Sequence, residues 1–461
     1  MRTTDRSTEK TLLVGLELPN QNEPEVTESL EELGELVRSA GAAVASHAIQ
    51  RLQTPTSPYY IGRGKAQDLS RKCQEDGIHS VIFDDELTPA QSRNLANVFS
   101  RKVLDRTQLI LDIFAQRAKT REGKIQIELA QLLYLLPRLT RLWSHLSRQS
   151  GGIGTRGPGE TQLEVDRRRV QQRIARLHRE LEAVRRSRSV QREGRHRCSW
   201  PTFCLVGYTN SGKSTLFNRL TRSEVLVEDK LFATLDPTIR LLPLSGKQRA
   251  FLTDTVGFIR KLPHDLIDSF RATLEEVKQA DLLIHLVDVS DPKAEERIAD
   301  VRRVLEELDV LRKPVLLVWN KIDRLQGPAP LNRLLQRYPG SLGVSARDGS
   351  GIRELLSRVE AWSRARALFF RFRLPVERGD LLARLHREGE PVDVRYRPDG
   401  VYVQAWVPPF LQAALAPYIV PERGSADSRD ATGGAPPREN GGGRTERPQG
   451  FGVAGDSSGE W

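Results

Sequence analysis

Gly207-Tyr208-Thr209-Asn210-Ser211-Gly212-Lys213-Ser214 closes an apolar run, Phe203 to Val206, and opens a helical one, Thr215 to Leu220. Strand, GxxxxGK[ST] and helix in that order spell a phosphate-binding loop. The glycines let the backbone curl so that successive N–H groups point at phosphate oxygens, and the helix N-terminus adds partial positive charge. Lys213 is placed to reach the β- and γ-phosphates of a nucleoside triphosphate, and Ser214 to ligate Mg²⁺.

A second cluster selects the base. Val315-Leu316-Leu317-Val318-Trp319 reads as a buried strand, and Asn320-Lys321-Ile322-Asp323 follows at its C-terminal end, where ligands of open α/β sheets gather. Asp323 can accept from N1–H and the 2-amino group of guanine, and Asn320 can donate to the purine's outer edge. Lys321 would lay its alkyl stem against the ring. Adenine would leave Asp323 desolvated and unpaired, which rejects it by roughly 10⁴-fold or more. Ser345-Ala346-Arg347 stands where backbone N–H groups would close over the base.

Between these clusters lie the groups that would sense a γ-phosphate. Phe251-Leu252-Thr253 delivers Asp254-Thr255-Val256-Gly257, with Asp254 expected to hold the Mg²⁺ shell through water and the Gly257 N–H to contact the phosphate. Leu231-Phe232-Ala233-Thr234-Leu235-Asp236-Pro237-Thr238 should supply a threonine to Mg²⁺. Thr234 and Thr238 compete, and Asp236-Pro237 reads as the loop's exit toward an Ile239–Leu244 strand, which favours Thr234. After Gly257, where many GTPases carry a water-orienting glutamine, the chain has Phe258. A phenyl ring cannot orient water, so intrinsic hydrolysis should be slow, and a supplied group could add on the order of 10³–10⁵ in rate. The expected catalytic set is Lys213, Thr234 and Gly257, with metal on Ser214 and Thr234.

The 461 residues carry a net charge of +11, mostly through arginine, the side chain suited to phosphate forks and base stacking. Cys73, Cys198 and Cys204 are odd in number and lack ligand spacing, which argues against a disulfide framework or zinc site. A polar start, Met1 to Lys10, and the absence of an 18-residue apolar run predict a cytoplasmic protein without signal peptide or membrane span.

The pattern predicts a multidomain α/β protein. Residues 10–122 read as an N-terminal α/β domain able to bind ribosome or RNA, with strands at Leu12–Leu18, Ala42–Leu52, Ile78–Phe83 and Gln108–Phe114, and helices at Val26–Ser39 and Pro89–Phe99. Ile61-Gly62-Arg63-Gly64-Lys65 lacks phosphate-loop spacing and reads as a tight turn before an Ala66–Glu75 helix. Residues 123–198 read as a helical hairpin, coiled-coil-like through Leu163, Val170, Ile174, Leu177, Leu181 and Val184. Its tip is the glycine-rich stretch 151–159, whose five glycines and Arg156 make an accessible backbone surface. Residues 199–365 form a P-loop domain with a doubly wound sheet and a core separate from the N-terminal one. Residues 366–421 read as a small α+β domain of βαββα order with a Pro398-Asp399-Gly400 hairpin turn, and 422–461 as a disordered tail.

Gly151 to Glu164, Gly207 to Ser214, Phe232-Ala233-Thr234-Leu235-Asp236 and Asp254-Thr255-Val256-Gly257-Phe258 together closely resemble the HflX family of bacterial translation GTPases. Asp105 to Ala118 and Glu122 to Leu139 extend the likeness over most of residues 10–365. The resemblance implies a GTPase that binds the large ribosomal subunit and its rRNA and, with GTP, splits stalled or idle ribosomes under stress. It also implies Mg²⁺ and a hydrophobic residue in place of the catalytic glutamine, as at Phe258. Nucleotide contacts would fall on Gly207–Ser214, Phe232–Asp236, Asp254–Gly257, Asn320–Asp323 and Ser345–Arg347. Ser211 departs from the common alanine. A monomer is expected. The alternatives are an Obg-like large-subunit assembly GTPase and a non-catalytic nucleotide-gated RNA-binding module.

Overall fold

In the computed structural model, residues 9–139, 158–198, 200–223, 231–232, 234–244, 249–261, 271–366, 368–407 and 409–420 are described. The glycine tip at 151–157, Ala233 and the tail 422–461 lie outside them.

Strand β1 (Lys10–Glu17) is followed by α1 (Glu23–Ser39), which Asn22 caps by accepting from the Glu25 N–H at 2.9 Å. Val26, Leu30, Leu33 and Val37 recur on one face of α1 and bury it. After β2 (Ala43–Arg51), helix α2 (Arg63–Glu75) starts at Gly62, so Arg63, Gly64 and Lys65 lie in its first turn and not in a loop before it. Then come β3 (Ser80–Phe83), α3 (Pro89–Phe99) with a Thr88/Gln91 capping box, and β4 (Lys102–Asp105). The four strands form a parallel sheet in the order β2-β1-β3-β4.

Gln108–Phe114, expected as a strand, is the middle of helix α4 (Arg106–Arg117). Leu109, Ile110, Leu111, Ile113 and Phe114 are all buried, and within the seven residues read as a strand only Gln108 and Asp112, one helical turn apart, mark the polar stripe that Gln116 continues. Asp105, accepting from the Gln108 N–H at 2.9 Å, is the cap that marks its start.

Helices α5 (Arg121–Leu139) and α6 (Pro158–Cys198) pack through Ile125, Leu129, Leu177 and Leu181, with a bidentate Arg173–Glu128 pair at 2.7 and 2.8 Å. The first half of α5 thus meets the middle of α6. Among the expected heptad positions, Leu163 has no described side chain.

The next sheet holds β5 (Thr202–Gly207), β6 (Thr238–Pro243), β7 (Arg249–Asp254), β8 (Leu282–Asp288), β9 (Val315–Asn320) and β10 (Leu342–Gly343) in the order β10-β9-β8-β5-β7-β6. Only the β6–β7 pairing is antiparallel. Helices α7 (Lys213–Thr221), α8 (Arg271–Gln279), α9 (Ala294–Glu307), α10 (Ala329–Arg337) and α11 (Ile352–Ala365) connect its strands or close it. The last unit is an antiparallel sheet, β11 (Leu368–Leu374), β12 (Glu390–Arg397) and β13 (Gly400–Val407) in the order β11-β13-β12, with α12 (Gly379–Glu388) and α13 (Pro409–Leu415).

Each unit keeps a core of its own, around Leu12, Val14 and Phe83 in the first and Phe203, Leu205 and Leu216 in the phosphate-loop unit, but the two are not fully separate. Leu33, Leu36, Ile110 and Phe114 of the first unit share one buried cluster with Cys204, Val206, Leu231, Phe232, Leu235, Val256 and Phe258 of the phosphate-loop unit. The Phe114 and Phe232 rings meet edge to face, 4.6 Å between centroids.

Candidate nucleotide site

The C-terminal ends of β5, β7 and β9 open into a cavity of about 260 Å³, lined by the phosphate loop, Phe232, Thr234, Thr255, Gly257, Asn320, Lys321, Asp323 and Arg347 among others. Lys213 lies inside it and donates to the carbonyls of Gly207 at 3.1 Å and Tyr208 at 2.7 Å. Burial pushes its ammonium down to about 8, against the pull of Asp254 and with the help of Lys321. A buried cation in such a cradle is a ready seat for phosphate. Gly257 closes over it: a Cβ there would come within 2.8 Å of the Thr209 Cα and 3.0 Å of the Lys213 Nζ, so only glycine brings this backbone so near.

Three hard oxygens converge beside the lysine. Ser214 Oγ is 2.7 Å from Asp254 Oδ2 and 2.8 Å from Thr234 Oγ1, and Thr234 Oγ1 is 3.0 Å from the same carboxylate oxygen. Asp254 is fully buried, its second oxygen has no hydrogen-bond partner, and burial raises its pKa despite Ser214, Lys213 and Thr234. An orphaned carboxylate oxygen next to two hydroxyls fits a hard divalent cation. Thr238, the competing threonine, is the first residue of β6, paired with Asp254 in the sheet.

The base-side residues are braced by one another. Ser345 Oγ donates to Asp323 Oδ1 at 2.6 Å, and the Lys321 ammonium pairs with Asp288 at 2.6 Å, laying its stem along the cavity wall. Asn320 lines the cavity and also braces it. Its Nδ2 donates to the Ser211 carbonyl at 2.8 Å and its Oδ1 accepts from the Ala346 N–H at 3.0 Å, so it ties the phosphate loop to the 345–347 loop. Two of the three N–H groups expected to cover the base are engaged within the protein, Ser345 N on the Ser350 carbonyl at 2.9 Å and Ala346 N on Asn320, while Arg347 lines the cavity.

Other quoted residues face elsewhere. Tyr208 points its hydroxyl at Glu32 of α1, and accepts from the Arg260 N–H at 2.9 Å and Arg297 at 3.0 Å. Asp236 turns to the start of α5 and accepts from the N–H groups of Lys119 and Thr120 at 3.0 and 2.8 Å, which corrects its expected nucleotide contact. Leu235 is buried in the shared apolar cluster, as is Val256; Ile322 packs with Trp319, Leu325 and Leu331. Phe258 is buried in that cluster too, its backbone bonded to Gly207 and Thr209. Thr215 and Arg324 line the cavity unforeseen, though each directly follows a motif that was read. Arg219, whose guanidinium holds the Ala346 carbonyl at 2.7 Å, had no sequence signal because its partner is a backbone oxygen far along the chain.

Residues 27–115 match the family described as GTP-binding GTPase N-terminal, 117–195 the GTP-binding GTPase middle region, and 202–321 the 50S ribosome-binding GTPase. The GTPase HflX of Magnetococcus marinus is 49% identical over 379 residues, covering 81% of this chain and 88% of that one. The GTPase HflX of Escherichia coli is 46% identical over 361 residues, covering 78% and 85%. The chain belongs to the HflX family. A crystal structure of a GTP-binding protein from Sulfolobus solfataricus in complex with GDP is similar at 27% identity, with a TM-score of 0.42 over 77% of this chain and 98% of that one.

As an HflX GTPase the chain hydrolyses GTP, and the cavity accounts for the binding half of that activity. The family matches span the first unit and the hairpin region as well as the phosphate-loop unit. Among the described residues, no helix is long and apolar enough to cross a membrane.

Proposed function

We propose that this HflX GTPase binds the large ribosomal subunit and, in its GTP state, dissociates stalled or idle ribosomes in the cytoplasm during stress, acting as a monomer. The observation that carries the reading is the shared core. Phe232 and Phe258 come from the two loops that flank the cavity, and both are buried against the N-terminal unit. A change at the γ-phosphate therefore has a packed route to the rest of the molecule, since packed cores switch between arrangements and do not deform continuously.

Lys213 would neutralise the β- and γ-phosphates, the Gly257 N–H would meet the γ-phosphate, and Asp323, held by Ser345, would read guanine. Ser214 and Thr234 would hold Mg²⁺ directly and Asp254 through water, the ion supplying charge neutralisation for the phosphates. Phe258, packed in the core, leaves no side chain there to orient the attacking water, so ribosome contact would complete the site. The arginine-rich sequence of α6 suits rRNA, and the glycine-rich sequence 151–159 would suit close backbone approach to it.

Sucrose gradients test this reading. Adding protein with GTP to purified ribosomes should deplete whole particles and raise free subunits, with phosphate release accelerated by ribosomes. Association with immature large-subunit particles and no splitting would favour an assembly GTPase. Ribosome binding without stimulated phosphate release would favour the non-catalytic module.

A further inference from the structure

The C-terminal sheet has one face in the core and one in solvent. Phe372, Leu374, Val401, Val403, Ala405 and Val407 turn inward onto Leu381, Leu385, Leu411 and Leu415 of α12 and α13. Strand alternation then sends Phe369, Arg371 and Arg373 of β11 outward, together with Tyr402, Gln404 and Trp406 of β13. The register places Phe369 opposite Trp406, Arg371 opposite Gln404, and Arg373 opposite Tyr402. On the other side Asp393 faces Gln404 and Arg395 faces Tyr402, with Arg397 next along β12.

That face carries aromatic side chains that the fold does not need. Trp406 is 47% exposed and Phe369 39%, their rings 5.4 Å apart in an edge-to-face pair. Interleaved with them are Arg371, Arg373, Arg395 and Arg397, all exposed; the register sets Glu390 opposite Trp406, and among the described side chains Asp393 and Asp399 pair with Arg395 at 2.8 Å and Arg373 at 3.1 Å. The Arg397 guanidinium stands 4.9 Å over the Tyr402 ring, showing that these aromatics already hold planar cations. An apolar partner would have no use for four arginines, and a phosphate site would have no use for Trp406.

We propose that the outer face of β11-β13-β12 binds unpaired RNA, with bases stacking on Trp406, Phe369 and Tyr402 and phosphates on the flanking arginines. Stacked bases suit any sequence because each has a π-face, and arginine adds backbone charge recognition. That the strand is RNA and not DNA rests on the ribosome-directed reading above; the stacking face itself does not.

The test uses the full chain with GDP present and a fluorescein-labelled uridine 12-mer, read by anisotropy, with 4-thiouridine crosslinking to map contacts. Crosslinks should fall on residues 368–374 and 400–407. Trp406→Ala should weaken binding about tenfold or more, Trp406→Phe should restore most of it, and Arg371→Glu should lower the salt slope by about 1. GDP affinity and near-ultraviolet dichroism report that the variants remain folded. Wild-type affinity in both Trp406→Ala and Phe369→Ala, with crosslinks confined to α6, would overturn the proposal. So would binding of a thymidine 12-mer without the uridine one, or Trp406-dependent binding of polyglutamate in place of RNA. Because no ribosome is present, failure here is distinguishable from failure of ribosome splitting.

Discussion

Asp236 and Thr120, far apart in sequence, are joined where the loop carrying Thr234 meets the start of α5. The Asp236 carboxylate accepts from the Thr120 N–H at 2.8 Å, while the Thr120 hydroxyl itself accepts from the Gly123 N–H at 3.0 Å and so caps the helix. A carboxylate from the nucleotide-sensing loop thus completes the N-terminus of the hairpin's first helix, where anions are favoured. A Cβ on Gly123 would collide with this carboxylate. Gly123→Ala should therefore displace Asp236, and Asp236→Ala should remove it, each costing about 1 kcal/mol. Hydrogen exchange across Arg121–Ile125 should speed up in both. Unchanged protection would show that the contact does not hold the helix.

Lys213 sets a pH limit on nucleotide binding. Its ammonium is pushed by burial down to about 8, and phosphate binds the protonated form. Below that pH the proton is already in place and affinity is flat. Above it, binding must take up a proton, and affinity falls by about tenfold per pH unit. Calorimetric titration with GDP between about pH 7 and 9.5 would reveal the bend. Lys213→Ala should lower affinity severely and abolish the bend; a bend that persists would assign it to another group.

Asp323→Asn should move base preference from guanine toward xanthine, because an amide complements a 2-oxo edge in place of a 2-amino group. The wild-type preference for guanine over xanthine should collapse or invert. Competition between GDP and XDP measures this, and unchanged selectivity would remove Asp323 from the base-reading role.

The Tyr208 hydroxyl sits among Glu32, Arg297 and the Arg260 N–H, with Arg297 also 4.3 Å above its ring. Tyr208→Phe keeps the ring and orphans buried partners, a loss of about 1–3 kcal/mol. Urea unfolding should register it. A variant as stable as the parent would mean that water replaces the hydroxyl.

Replacing residues 151–159 with a short Ser-Gly turn should leave GTP binding intact and slow ribosome splitting, with subunit binding only partly reduced. Splitting at the normal rate would make the tip a connector.

The phosphate loop and the positions of Asp254 and Asp323 at strand ends were legible because each is local. A strand, a glycine turn and a helix start fall within a few consecutive residues, and backbone chemistry constrains which residues suit them. Phe258 could likewise be read as unable to orient water from its type alone. The fate of Asn320, Tyr208 and Asp236 was not local: each side chain is spent on a partner that the fold brings from elsewhere, Ser211 and Ala346, Glu32 and Arg297, Lys119 and Thr120. Helix α4 was misread for a related reason. Five of its seven expected strand residues are apolar and buried, so a window that short hides the helical stripe of Gln108 and Asp112, one turn apart, that Gln116 continues. The third buried cluster, which joins the two units beside their own cores, was decided by tertiary structure alone, because the hydrophobicity of Phe114 and Phe232 says that each must be buried but not by what.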